Sequence, residues 1–387
     1  MESIYKGHLK ISSFLFIIKS MKILLIFITL AICFIRNGIS SDDSNEWIKV
    51  INEKLPLSSV LSNQHNIHRV ILKKYRVMPK DVMTFLKFTN YLQAYNKSYP
   101  TKYEVKKRFR IYKKNLQAID FWNFNEQGTA VYGETEFMDM TPNEFKAIML
   151  PYEWDQSIKP SKMADVSEYQ NDNVPEAFDW RDHNAVTEVK NQMNCGSCWA
   201  FSVTGNIEGA WAIKKKQLIS LSEQELLDCD VVDQACNGGL PSQAYKEIIR
   251  IGGLESEEKY PYRHEKDTCS WDSSLKAVYI NDSVTLPPNE DDMKVWLFKN
   301  GPISIGVNAN PLQFYRHGIS HPWKMFCSPI FINHGVLIVG YGVEKNKPFW
   351  IIKNSWGTKF GENGYYRLFR GANVCGVREM ATSAIIY

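Results

Sequence analysis

The chain has 387 residues, 44% of them hydrophobic and 23% charged, with a formal net charge of +4. That composition is ordinary for globular protein and leaves room for more than one folded unit. So small a positive balance for this length supports no nucleic-acid partner, and beyond the N-terminus no stretch is apolar for long enough to cross a membrane.

Residues 23–35 form a short apolar run after Lys22 and before the small residues Gly38 and Ser40. This is the layout of a secretory signal ending near residue 40, with Met21 the more natural start. Eight cysteines occur in the chain. Cys33 leaves with the signal, and setting aside Cys198 as a free thiol leaves an even set suited to an oxidising compartment: Cys195, Cys229, Cys236, Cys269, Cys327 and Cys375. Spacing alone does not choose among their pairings. Asn96-Lys-Ser and Asn281-Asp-Ser are acceptor triplets for N-glycosylation.

Residues 41–80 carry no readable motif. From about Val82 to Gln127 the pattern predicts two helices, and Glu104, Arg108, Tyr112, Asn115, Ile119 and Asn123 recur at three-to-four spacing along one face. Gly133-Glu-Thr135-Glu-Phe137-Met-Asp139 follows. Residues 155–173 are polar and read as an exposed linker, a natural place for cleavage. Residues 41–173 are slightly basic and residues 174–387 slightly acidic, which permits the two parts to associate.

Beyond Val174, an apolar helical run begins at Cys198 and ends near Lys214–Lys216, cations that suit the negative pole of a helix. Ser222-Glu-Gln-Glu225 predicts a capping box, and Pro241 suits the first position of a helix over 242–250. After Gly301 the texture changes to short β-branched and aromatic runs at 303–309, 335–343, 349–354 and 364–370, the pattern of an antiparallel sheet or barrel. Helices first and strands later predict an α+β fold segregated into two lobes, with a cleft between them.

The chemistry centres on Gln192-Met-Asn-Cys195-Gly-Ser-Cys198-Trp-Ala-Phe-Ser202. Cys198 stands where a loop becomes a helix, and unpaired amides at a helix N-terminus are expected to lower a thiol pKa and favour the nucleophilic thiolate. Of eight histidines, His334 is the best base: it opens the apolar run His334-Gly-Val-Leu-Ile-Val and falls about 130–150 residues after Cys198. Asn354, in Asn354-Ser-Trp-Gly, can orient an imidazole. Each of these alone is ordinary loop or core chemistry. Together the motifs resemble the papain-like cysteine proteases, and within them the cathepsin F branch.

The resemblance runs from about residue 84 to the C-terminus. It implies a papain-like fold of a helical lobe and a barrel-like lobe, and a helical inhibitory propeptide, with helices over about 82–145, that lays its following segment along the cleft in reverse direction to substrate. The same resemblance implies that the mature enzyme would start near Val174 and that the disulfides would be Cys195–Cys236, Cys229–Cys269 and Cys327–Cys375. It further implies a Cys198–His334–Asn354 site with Gln192 as oxyanion donor and Trp356 shielding the His–Asn bond. Gly239 would pair with an extended peptide, while Leu240, Pro241, Gly306, Gly335 and Met380 would form the main apolar pocket. Its partners are protein and peptide substrates, its own propeptide and cystatin-type inhibitors. The enzyme is a monomer that needs no metal or organic cofactor, acting as an endopeptidase in a lysosome-like compartment or outside the cell. Tyr112, Thr135, Asn191, Met193 and Phe360 depart from the family pattern, and Met193 strains its loop if relatives hold a glycine there at positive φ. Two other functions compete: a redox dithiol made of Cys195 and Cys198, and a catalytically silent homologue.

Overall fold

The computed structural model describes residues 77–160, 162–169 and 173–387; the expected secretory signal and Cys33 lie outside them. The chain divides into two compact units, after Lys113 and inside a helix.

In the first unit, helix α1 (Val82–Ala94) is followed by the start of helix α2 (Lys102–Phe124). Phe85, Phe88 and Tyr91 recur every third residue on α1 and are buried against Phe109 and Tyr112 of α2, with ring centroids 5.0–5.6 Å apart. Arg108 bonds back to Glu104 one helical turn earlier, at 2.7 Å.

The second unit takes up the rest of α2, then strand β1 (Val131–Tyr132), helix α3 (Pro142–Met149) and strand β2 (Phe178–Asp179). Helices α4 (Cys198–Lys215), α5 (Glu223–Cys229) and α6 (Pro241–Ile251) come next. They are followed by β3 (Asp282–Thr285), α7 (Glu290–Asn300), β4 (Ile303–Val307), β5 (Tyr315–His317), β6 (Ile319–Ser320), β7 (His334–Glu344), β8 (Lys347–Lys353), β9 (Tyr365–Phe369) and β10 (Thr382–Ile385). Helices α4 to α6 pack together through Trp199, Val203, Ile207, Leu226, Leu227, Tyr245 and Ile248. The strands form one eight-stranded sheet in the order β3-β10-β4-β7-β8-β9-β6, with β2 on β7, against which α4 also packs. This is the expected two-lobe α+β arrangement. Every pairing along the sheet is antiparallel except β6 with β9, which is parallel.

Two local expectations need correction. The Ser222 side chain accepts from Glu225 N–H as half of a capping box, but the Glu225 carboxylate accepts from Glu255 N–H instead of returning to Ser222. Helix α5 is wholly buried, and Ser222 N–H is already satisfied by the Glu255 carbonyl. The segment 155–173 is not simply an exposed linker. Lys162 and Ala164 exchange backbone hydrogen bonds with Thr285, and Ala164 and Val166 are buried. Strand β3 ends the sheet, and an open edge offers amides and carbonyls to any extended chain beside it. Within the second unit, β1 and β5 form a separate two-stranded ladder, Asn123 bonds both N–H and C=O of Tyr132, and Asn115 donates to the carbonyls of Met138 and Met140. Among the described residues no helix is long and apolar enough to cross a membrane.

Candidate active site

Cys198 is the first residue of α4, with Ser197 at the N-cap. Ser197 makes no capping bond; its hydroxyl is paired at 2.7 Å with that of Tyr262, which also bonds the Gln192 carbonyl. The disulfide Cys195–Cys236 ties down the turn just before the helix, and Gly196 N–H donates to the Cys236 carbonyl. Cys229–Cys269 and Cys327–Cys375 are the other two bridges, and among the described residues Cys198 is the free cysteine. With Cys195 joined to Cys236, the redox-dithiol function has no second thiol.

His334 begins β7, so its neighbour Gly335 comes beneath the helix start. Gly335 N–H points to Cys198 Sγ at 3.3 Å, and a Cβ on Gly335 would lie 3.0 Å from the Cys198 carbonyl oxygen. A side chain there would press on the start of the helix. His334 Nε2 bonds Asn354 Oδ1 at 2.8 Å, while Nδ1 is buried with no partner. The Trp356 ring lies over the imidazole with centroids 4.8 Å apart. The Gln192 side chain is fully buried; Ser355 Oγ and Trp356 Nε1 both donate to its Oε1, which turns its amide nitrogen toward Cys195, whose carbonyl accepts at 2.9 Å. Cys198, His334, Asn354 and Gln192 thus come together from four separate elements. A sulfur, an imidazole oriented by an amide, and a fixed amide donor are the parts that acyl transfer through a thiol needs.

The electrostatics differ from expectation. The Cys198 thiol is pushed up to about 11 by burial, only partly offset by N–H groups of Gly335 and Trp199. Burial also holds the His334 imidazole down to about 4 against a smaller upward pull from Asn354. Both shifts favour the neutral thiol and imidazole, because neither charge would be hydrated in this buried site. The helix N-terminus is present, but its effect is smaller than the cost of desolvation.

Behind the site, Lys190 bridges Glu208 and Glu223 at 3.2 and 2.8 Å, and Lys353, next to Asn354, donates to Thr187. Burial works against the charge on Lys190, yet the two carboxylates outweigh it and raise its pKa.

Residues 174–385 match the family model of papain family cysteine proteases, and residues 88–145 match the cathepsin propeptide inhibitor domain. This chain belongs to the papain family. It is 51% identical over 306 residues to cathepsin F of Drosophila melanogaster, covering 77% of this chain and 50% of that one. With cathepsin F of Mus musculus the figures are 49% over 303 residues, 77% and 64%. The chain therefore spans between half and two thirds of the length of these curated relatives. Among solved structures, digestive procathepsin L2 proteinase from the Tenebrio molitor larval midgut aligns with a TM-score of 0.72 at 32% identity, covering 78% of this chain and 99% of that one.

In this papain-family chain, residues 151–154, between the two matched regions, lie against glycines beside Cys198. A Cβ on Gly196 would meet Pro151, one on Gly238 would meet Tyr152, and Trp154 lies against Gly306 and Gly335. Trp154 shares a buried apolar cluster with Leu240, Ile332 and Met380, and its N–H donates to the Ile332 carbonyl. Pro241 is buried at the first position of α6. Gly239 backs onto Trp199 and Asp233, and it is its neighbour Gly238 whose Cα faces Tyr152. The residues missed in the sequence are Trp154, Ile332, Ser355 and Tyr262. Ser355 was legible, being inside the Asn-Ser-Trp-Gly motif; Trp154, a large indole entering a polar stretch, was the other available signal.

Proposed function

We propose that this chain is the inactive precursor of a cysteine endopeptidase of the secretory pathway, acting in a lysosome-like compartment or outside the cell. Removal of the residues before about Val174 uncovers the cleft. Water then reaches Cys198 and His334, the helix N-terminus stabilises the thiolate, and His334 takes the proton. The thiolate attacks the scissile carbonyl, with Gln192 and the Cys198 N–H holding the oxyanion. The tetrahedral adduct collapses to a thioester as the C–N bond breaks and the amine leaves with the proton from His334. Water, deprotonated by His334, attacks the thioester and releases the acid and the thiolate. Asn354 keeps the imidazole pointed at sulfur throughout.

A single observation carries this reading: the His334–Asn354 bond leaves Nδ1 unpartnered on the strand whose next amide touches Cys198 Sγ. The apolar cluster around Trp154 supports a preference for a bulky apolar residue two places before the cut bond. The three disulfides fit an oxidising compartment, and Asn96 and Asn281 of the two acceptor triplets are exposed. The test is incubation of the precursor at mildly acidic pH followed by a peptide-cleavage assay beside Cys198→Ala. Equal cleavage by both proteins, or none by either, rejects the proposal.

A further inference from the structure

Residues 158–160 and 162–164 lie extended against the start of α6 and the outer edge of β3. The carbonyls of alternate residues face the same surface: Ile158 accepts from Ser242 Oγ at 3.0 Å, Pro160 from Thr285 Oγ1 at 3.0 Å, and Lys162 from Thr285 N–H at 2.9 Å. Ala164 N–H then donates to the Thr285 carbonyl at 2.8 Å. Period two is the repeat of a strand, and burial follows it: Ala164 and Val166 are buried, while Met163, Asp165 and Ser167 are exposed. Met163 pairs with Thr285 in parallel, so this segment adds to β3 as one more strand. The Lys162–Asp282 ion pair at 3.3 Å is exposed on both sides and contributes little.

The edge is built to receive it. Leu286 N–H donates to the Ala381 carbonyl beside β10, so alternation turns the N–H and C=O of Thr285 to the outer side. Without the segment both groups stand bare at the end of the sheet, where an edge pairs with an extended chain. Strands β10 and β4 separate β3 from β7, which carries His334, a distance of roughly 14 Å at three strand spacings.

We propose that the outer edge of β3, together with Ser242, is a peptide-binding site apart from the catalytic residues, and that its occupant is segment 158–166, which stays seated after the chain is cut near Val174. This rests on the precursor reading above and adds a second site to it. The ligand class is an extended peptide that offers alternate carbonyls and one amide to the edge and sets small apolar side chains where Ala164 and Val166 lie. Only residues 155–157 stand between this strand and Trp154. A seated strand therefore keeps Trp154 beside Cys198 at high effective concentration. The cut near Val174 does not by itself clear the site; the strand must also be displaced, or cut again ahead of Ile158.

The prosegment is stripped from the enzyme with an added protease, so the preparation does not depend on the chain's own activity, and Cys198 is alkylated with iodoacetamide. A fluorescein-labelled synthetic peptide of residues 156–168 is titrated in and its anisotropy read. Saturable binding with a Kd below about 1 mM is expected for the stripped enzyme, and none for the intact precursor, whose edge is filled. N-methylation at Ala164 removes the donor to Thr285, whereas at Met163 it alters an N–H that alternation points away from β3. The first is expected to weaken binding at least about threefold more than the second, and Thr285→Val to weaken it by about 2–10-fold, the range of one neutral hydrogen bond. No saturable binding to the stripped enzyme, equal binding to the precursor, a smaller difference between the two methylated peptides, or unchanged affinity in Thr285→Val overturns the proposal. If Thr285→Val does not fold, the methylated pair decides. An enzyme that cleaves peptides but fails these titrations keeps the peptidase reading; a chain that passes them but cleaves nothing keeps the site and loses that reading.

Discussion

The indole of Trp356 lies over the His334 ring, and three further rings pack on it: Phe137 and Phe145 meet it edge-on at 5.4 and 5.5 Å, and Phe360 at 4.9 Å. Phe137 and Phe145 come from the segment ahead of the papain-family match, so the cover that silences the site is anchored on the residue that shields its His–Asn bond. Removing either ring leaves a cavity against a rigid indole, a loss of about 3–5 kcal/mol for Phe→Ala in a packed core. Phe137→Ala in the precursor is expected to lower its melting temperature and to speed self-processing at a given acidic pH. A time course on gels checks it, and processing at the wild-type rate would show that this contact does not hold the cover.

Acid should loosen the covered site through His334. Its pKa is about 4 in the fold against 6.5 ordinarily, so between those values the unfolded chain binds the extra proton and the folded chain does not. Stability from this group is complete above 6.5 and is lost as pH falls toward 4, by about 3 kcal/mol in all. In a Cys198→Ala precursor, adding His334→Gln should flatten the fall in melting temperature across that interval. For Cys198 the sign is opposite: the folded thiol keeps its proton between about 9 and 11. Iodoacetamide should therefore alkylate the intact precursor about 100-fold more slowly than a free thiol near neutral pH, and the processed enzyme much faster. Equal rates before and after processing would contradict the neutral covered pair.

A carboxyl pair beside the pocket works in the other direction. Asp233 N–H bonds Asp230 Oδ1, Asp233 Oδ1 accepts from Leu240 N–H, and Oδ2 of each is buried without a partner. Asp233 is pushed up to about 8, by burial first and then by Asp230, with a smaller contribution from Glu247. The folded state holds this proton where the unfolded chain has released it. Its stabilisation is full below about 4 and disappears as pH rises to about 8. Asp233→Asn supplies a neutral partner at every pH, so the variant should lose less stability than wild type between those limits. Melting curves across pH measure this, and parallel curves reject it.

Periodicity, apolar runs and turn residues were enough to place α1, α2, α4, α6 and the strands β4, β7, β8 and β9, because each is long enough to show a pattern between its Gly, Pro or cap boundaries. The short strands β1, β2, β3, β5, β6 and β10 escaped, since two to four residues carry too little alternation to stand out. The site was legible because its residues lie in compact motifs around Cys198, His334 and Asn354. The buried Lys190, Glu208, Glu223 and Lys353 were not, for a charged residue in a sequence reads as surface until its partner is seen, and these partners lie 18–33 residues from Lys190. The covered site's neutral charge state was also illegible. It depends on what lies over Cys198, and only the fold shows that Trp154 and its neighbours do.

Met193 sits at φ +56°, the left-handed region, directly after Gln192. Its side chain is 49% exposed, so little packing offsets the strain, and its N–H is held by Asn191 Oδ1. A non-glycine residue in that region costs about 1–2 kcal/mol, whereas glycine adds about 0.5–1 kcal/mol of unfolded-state entropy to be lost. The balance favours Met193→Gly by roughly 0.5–1 kcal/mol, a rise of about 1–4 °C in the melting temperature of a domain this size. Met193→Ala keeps the Cβ and should show no such gain. Gln192 is fixed independently by Ser355, Trp356 and the Tyr262 hydroxyl, so kcat should change by less than about twofold, below the loss of 10²–10³ that follows removal of an oxyanion donor. A large fall in kcat with Met193→Gly would mean that the strained turn itself aims the Gln192 amide.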